Sequence, residues 1–122
     1  MAKILIVDDA NFSRRTLRAM LESGGHEVHE AAGGLAALEQ YFLLEPDLVM
    51  LDLTMKEMGG LEVLTRLREM DATVRVVVAT ADIQTATRKL VNEAGACGFI
   101  SKPFVAADML NAVQAALKKS LP

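Results

Sequence analysis

Tryptophan is absent from the 122 residues and aromatic side chains make up only 4% of them, so a core has to be assembled from Leu, Val, Ile, Ala and Met. There is one cysteine, Cys97, which excludes an internal disulfide and fits a reducing compartment. It reads as a small apolar packing residue with no chemical role. No basic excess exists either: 13 Lys and Arg stand against 16 Asp and Glu, giving a formal net charge of −3. A chain without surplus cations has little with which to displace the counterions of a phosphate backbone, so no direct nucleic acid ligand is expected. Long apolar runs are missing as well. The opening MAKILIVDD has one Lys and a short apolar run closed by two acids, too short and wrongly flanked for a signal peptide or a membrane span. A cytoplasmic protein with no membrane insertion is the expectation.

What is present is apolar content, at 52% enough to build a core in a chain of this length without staples. Residues 1–122 are expected to be a single domain, with no linker, repeat or low-complexity segment. Short aliphatic runs recur at Ile4 to Val7, Glu27 to Ala31, Leu48 to Leu51, Val74 to Ala79 and Gly98 to Ser101, and read as five strands. Between them lie segments of helical period. They are Leu17, Met20 and Leu21 after an Asn11 cap; Ala36, Ala37, Leu38 and Phe42; Leu61, Leu64 and Leu67; and Ala86, Leu90, Val91 and Ala94. A last segment, with Met109, Leu110, Val113, Ala116 and Leu117, closes the chain. Strict strand–helix alternation implies parallel strands joined by right-handed crossovers, hence a three-layer α/β/α domain of (βα)5 type. The second run, carrying His26, Glu27, His29 and Glu30, reads as an edge strand.

The charges then fall in a pattern. In an open parallel sheet the ligand site lies outside the carboxyl ends of the strands, where strand order reverses. Here the first strand ends in Asp8 and Asp9, the third in Asp52, the fourth in Thr80 and the fifth in Ser101, Lys102 and Pro103. An acid closing the buried run Leu48 to Leu51 is costly unless something uses the charge, because an unpaired carboxylate in an apolar setting costs several kcal/mol. Three carboxylates gathered at one edge repel by roughly 4 kcal/mol per close pair at an effective dielectric of about 20. Lys102 supplies one positive charge, too little for three acids, and the remainder points to a divalent ion with oxygen ligands. There is no Cys cluster, and His26 and His29 are three apart on a predicted strand, facing opposite sides, so the ion is hard: Mg²⁺, or Mn²⁺ in its place. A carboxylate, a lysine, a hydroxyl and such an ion are equipped for phosphoryl transfer to Asp52, with Asp52 the nucleophile.

These residues match a known pattern. Over nearly its whole length the chain resembles a response-regulator receiver domain of the chemotaxis-regulator type, through "ILIVDDANFSRRTL", "LVMLDLTM", "VVVATAD" and "GFISKPF". The resemblance implies the flavodoxin-like strand order 2-1-3-4-5. It also implies that Asp52 is the phosphoacceptor, that Asp9, Asp52 and the main-chain carbonyl of Thr54 hold Mg²⁺ with Asp8 in support, and that Lys102 is the family lysine, followed by a typically cis bond to Pro103. Thr80 and Phe99 take the switch positions, and the output surface is the fourth helix, fifth strand and fifth helix. By this resemblance the protein is a phosphorylation-activated switch rather than an enzyme. It accepts phosphate from a sensor histidine kinase or phosphotransfer protein and alters binding to a downstream target or phosphatase, as monomer or weak dimer. The chain begins at Met1 and stops after a fifth helix ending in Lys118-Lys119-Ser120-Leu121-Pro122, so a stand-alone regulator is expected.

The chain also departs from the pattern. Met55 is followed by Lys56 where relatives usually carry Pro, and Gly59 replaces an acid, which bears on the loop after Asp52. Thr54 and Asp82 occupy positions that tune phosphate lifetime in relatives, and Gly98 disfavours the DNA-binding dimer subclass. Two other classes compete. A phosphohydrolase of the haloacid-dehalogenase type wants a second aspartate where Thr54 stands, and a flavodoxin would not place Asp8 and Asp9 beside a phosphate. A phosphorylation-independent pseudo-receiver is disfavoured by the full set of Asp9, Asp52, Thr80 and Lys102. Arg14, Arg15 and Arg18 read as a solvated helix face, Met50 as core, and Met55 and Met58 as loop packing.

Overall fold

A computed structural model describes residues 1–81 and 84–119. The strands are β1 (Lys3–Val7), β2 (Glu27–Ala31), β3 (Leu48–Leu51), β4 (Val76–Thr80) and β5 (Gly98–Ser101). The helices between and after them are α1 (Asn11–Ser23), α2 (Gly34–Leu44), α3 (Gly60–Met70), α4 (Thr85–Glu93) and α5 (Ala106–Lys118). All strand pairings are parallel and the sheet runs β2-β1-β3-β4-β5, the expected order. Order reverses between β1 and β3, so a crevice opens at their carboxyl ends.

Alternation along each strand sorts the core into two halves. Ile4, Ile6, Leu48, Met50, Val77 and Ala79 face α1 and α5, where they meet Leu17, Leu21, Met109 and Val113. Leu5, Val7, Val49, Leu51, Val76 and Val78 face α2, α3 and α4, against Ala37, Tyr41, Val63, Leu64, Leu67 and Val91. Every residue of β3 and β4 is buried, which is why those runs read as continuously apolar.

The structure corrects several expectations. Asn11 is the first residue of α1 rather than its cap; Ala10 takes the N-cap position with no side-chain hydrogen bond. β4 begins at Val76, and Val74 and Arg75 precede it. Leu64, Leu67 and Val91 are buried as expected, but other members of the expected helix faces are not. Phe42 points outward while Tyr41 is buried, and Leu61 and Leu90 are exposed while Val63 and Val91 are buried. α2 ends where Glu45 turns left-handed (φ 48°) ahead of Pro46, a residue that cannot donate to a further turn. Cys97 is half-buried, beside the α1–α5 half of the core.

Candidate functional site

The sheet's own hydrogen bonds deliver the acids to one place. The Asp52 N–H donates to the Val7 carbonyl (2.9 Å) and the Asp8 N–H to the Ala31 carbonyl (3.2 Å), so the ends of β1, β2 and β3 are held level. Arg14 fastens the turn after β1 by donating from Nη1 to the Asp8 carbonyl at 2.7 Å. One carboxylate oxygen from each of Asp8, Asp9 and Asp52 then lies within 4.8 Å of the others. Asp8 and Asp52 are buried, whereas Asp9 is more open.

Each carboxylate has a different setting. Asp8 Oδ1 accepts from the Ala10 N–H at 2.9 Å, while its buried Oδ2 has no hydrogen bond among the described residues. Asp52 Oδ1 accepts from the Thr54 N–H at 3.3 Å. Asp9 Oδ2 accepts from the Lys56 N–H at 3.0 Å. The Lys102 ammonium sits 3.6 Å from Asp8 Oδ2 and 3.8 Å from Asp52 Oδ1, and donates to Ser13 Oγ at 3.3 Å. Burial, with the Asp8 charge next to it, pushes the Asp52 carboxyl up to about 6, and Lys102 and the Thr54 N–H offset only part of that rise. A raised carboxyl and an orphaned buried oxygen both mean that negative charge here exceeds what the chain's own donors satisfy. The oxygen-only donor set fits a hard divalent cation.

Thr80 is buried at the end of β4 opposite Ser101, and its carbonyl accepts from the Lys102 N–H at 2.9 Å. Phe99 is half-buried on β5 with the Arg88 guanidinium of α4 5.0 Å from its ring centroid, a cation–π contact between two elements of the expected output face. The Lys102–Pro103 bond is cis. Thr54 is exposed in the loop after β3. Asp82, expected to bear on phosphate lifetime, lies outside the described residues.

Several participants were not found from sequence. Ser13 and Ala10 carry no signal beyond lying downstream of the acid pair. Lys56 carries one: a proline there has no N–H and could not hold Asp9, whereas Lys56 ties Asp9 to the loop after β3. Arg14 and Arg18, expected to be a solvated face, are paired with Glu30 at 3.0 and 2.5 Å, and Arg15 alone of the three is exposed. His26 and His29 make no joint site: His26 Nδ1 accepts from the Ala2 N–H and His29 lies 2.7 Å from Glu27.

Comparison with known proteins adds the relationships. The response regulator receiver domain family's sequence model matches residues 4–114. The chemotaxis protein CheY of Bacillus subtilis is 40% identical over 116 residues, covering 94% of this chain and 97% of that protein. That of Halobacterium salinarum is 38% identical over 114 residues, covering 93% and 95%. Among solved structures, a chain of the CheX–CheY–BeF3–Mg complex of Borrelia burgdorferi superposes with a TM-score of 0.91 at 32% identity, over 96% of this chain and 90% of that one.

Proposed function

Because the chain belongs to the response regulator receiver domain family, we propose that it is a two-component signalling switch thrown by phosphorylation of Asp52. Such domains are regulators rather than enzymes proper. The donor is the phosphohistidine of a sensor kinase or phosphotransfer protein in the cytoplasm. An Asp52 oxygen attacks phosphorus, the P–N bond to the donor breaks as the P–O bond forms, and the imidazole leaves, taking up a proton. Lys102, 3.8 Å from the attacking carboxylate, neutralises part of the charge on the phosphoryl oxygens. Asp9, Asp52 and the Thr54 carbonyl, with Asp8 in support, would hold Mg²⁺ or Mn²⁺. When bound, that ion supplies the remaining positive charge at the phosphoryl oxygens.

The consequence lies on the neighbouring strands. The Thr80 hydroxyl bonds the new phosphoryl group, Phe99 follows inward, and the contact between Phe99 and Arg88 is remade, so that the face of α4, β5 and α5 binds a downstream target or phosphatase differently. The observation that carries this reading is the gathering of three carboxylates at one edge, two of them beside Lys102, with a buried oxygen left over. Intact-protein mass after incubation with acetyl phosphate tests it. A single Mg²⁺-dependent phosphoryl adduct is expected on the native chain and none on Asp52→Asn. Failure to form the adduct, together with failure to bind beryllofluoride, would sink the phospho-switch.

A further inference from the structure

α2 is apolar on two faces. Its inner face, Gly34, Ala37 and Tyr41, is buried against the sheet. The same spacing is repeated one residue along, at Leu35, Leu38 and Phe42: Leu38 is half-buried against the core, while Leu35 is 68% exposed, Phe42 74% and the adjoining Leu43 76%. A contiguous exposed apolar patch rimmed by polar residues marks an interaction surface. Met70, at the end of α3, continues the patch, so that Phe42 and Met70 together form a ridge between two open grooves of about 660 and 460 Å³. The ridge is firmly seated, since the Tyr41 hydroxyl beneath it donates to Asp71 Oδ2 at 2.8 Å and joins α2 to the end of α3.

The ionised groups along these grooves are all of one sign. Glu39, Glu45 and Asp71 line them and no Lys, Arg or His does. Two cations near this end of the molecule are engaged by main-chain carbonyls and line neither groove: Lys3 donates to the Leu44 carbonyl and Arg68 to the Ala72 carbonyl. An acidic rim around an apolar ridge disfavours two occupants. A second copy using the same face would set these acids against themselves, and the anionic surface of a cytoplasmic membrane would repel them.

We propose that the outer face of α2, with the end of α3, docks an amphipathic helix of a partner protein whose apolar stripe is flanked by Lys and Arg. Ridges spaced along α2 at three and four residues accept a second helix by ridge-into-groove packing. Because α2 runs antiparallel to the strands, the Phe42, Leu43 and Met70 end of this surface lies toward their amino ends, across the molecule from the acid cluster. A partner held there leaves the phosphoryl site open, so the surface suits a tether better than an output contact.

The test is titration of the ¹⁵N-labelled full chain with a synthetic helical peptide of Leu and Lys carrying Leu at the spacing of α2, and with its Leu and Glu counterpart. Shifts confined to α2 and the end of α3 are expected with the Lys peptide. Binding should be at least roughly tenfold weaker for the Glu peptide and for the double variant Phe42→Ser, Leu43→Ser. Both residues are exposed, so the variant keeps its circular dichroism and melting temperature. Shifts centred on the acid cluster or on α4 and β5, equal binding of the two peptides, no binding of either, or indifference to the double variant would each overturn the proposal. So would a dimer of the free chain, or binding to phosphatidylglycerol vesicles, that the double variant abolishes.

Discussion

Two regions a few residues apart in sequence treat negative charge in opposite ways. On the flank, Glu30 of β2 is gripped by Arg14 and Arg18 of α1, and the bond from Arg18, followed by that from Arg14, holds its carboxyl below the ordinary range. At the carboxyl end of the sheet, Asp8, Asp9 and Asp52 gather within 4.8 Å, Lys102 reaches only Asp8 at 3.6 Å and Asp52 at 3.8 Å among the described residues, the Asp8 Oδ2 is left without a hydrogen bond among them, and the Asp52 carboxyl is pushed up. The flank is a closed ion-pair cluster with nothing left to bind. The crevice is held short of positive charge, a deficit that an added cation or the loss of one carboxylate charge would relieve.

The largest expected effect breaks that deficit. In metal-free buffer, the rise of the Asp52 carboxyl from 3.8 to about 6 is worth about 3 kcal/mol against the folded state above pH 6. A carboxyl raised on folding favours the native state below its unfolded value and loses that contribution as pH climbs through the folded value. Stability should therefore fall between about pH 4 and 6. Asp52→Asn should remove that slope and gain up to about 3 kcal/mol at pH 7.5, measured by urea unfolding across pH. Glu30 has the opposite sign: its contribution is present above pH 4.5 and is lost on acidification through its lowered value.

A second experiment disturbs the wall of the crevice rather than its charge. A Cβ at Gly60 would lie 2.5 Å from the Leu53 Cα and closer still to the Asp52 carbonyl oxygen. Both are backbone atoms and cannot step aside, so Gly60→Ala should cost about 2 kcal/mol in chemical unfolding. Mg²⁺ sharpens the comparison next. At ten times its dissociation constant it should stabilise the native chain by about 1.4 kcal/mol and the Asp52→Asn chain by less, read as the shift of the urea midpoint. The smallest effect belongs to the flank, where Glu30→Gln should cost below about 1 kcal/mol because the pairs there are partly exposed. A cost as large as that of Gly60→Ala would show that the flank cluster is more than a surface network.

How legible these regions were differs in the same way. Strand–helix alternation and the acids at strand ends are local patterns, visible residue by residue, and from them the layered parallel sheet and the gathering of Asp8, Asp9 and Asp52 follow. The fit of Lys56 N–H to Asp9 and the grip of Arg14 and Arg18 on Glu30 were not visible. Those contacts join residues 47, 16 and 12 positions apart, and no periodicity records which side chain meets which across a loop or between a helix and an edge strand.

The amino-acid sequence alone determined which segments are strands, which are helices, and that polar groups close the strands at one edge, because burial on both sheet faces demands continuous apolar runs and any departure from them stands out. Tertiary structure alone decided how α2 is rotated. In α2 almost any phase buries an apolar side chain, so the choice of Tyr41 over Phe42 came from the fit of a hydroxyl to Asp71 and of small residues to the sheet, and it left Leu35, Phe42 and Leu43 facing outward. Tertiary structure also set the charge balance of the crevice, since the shortfall depends on distances of a few ångströms between oxygens and one ammonium, which packing, not residue order, defines.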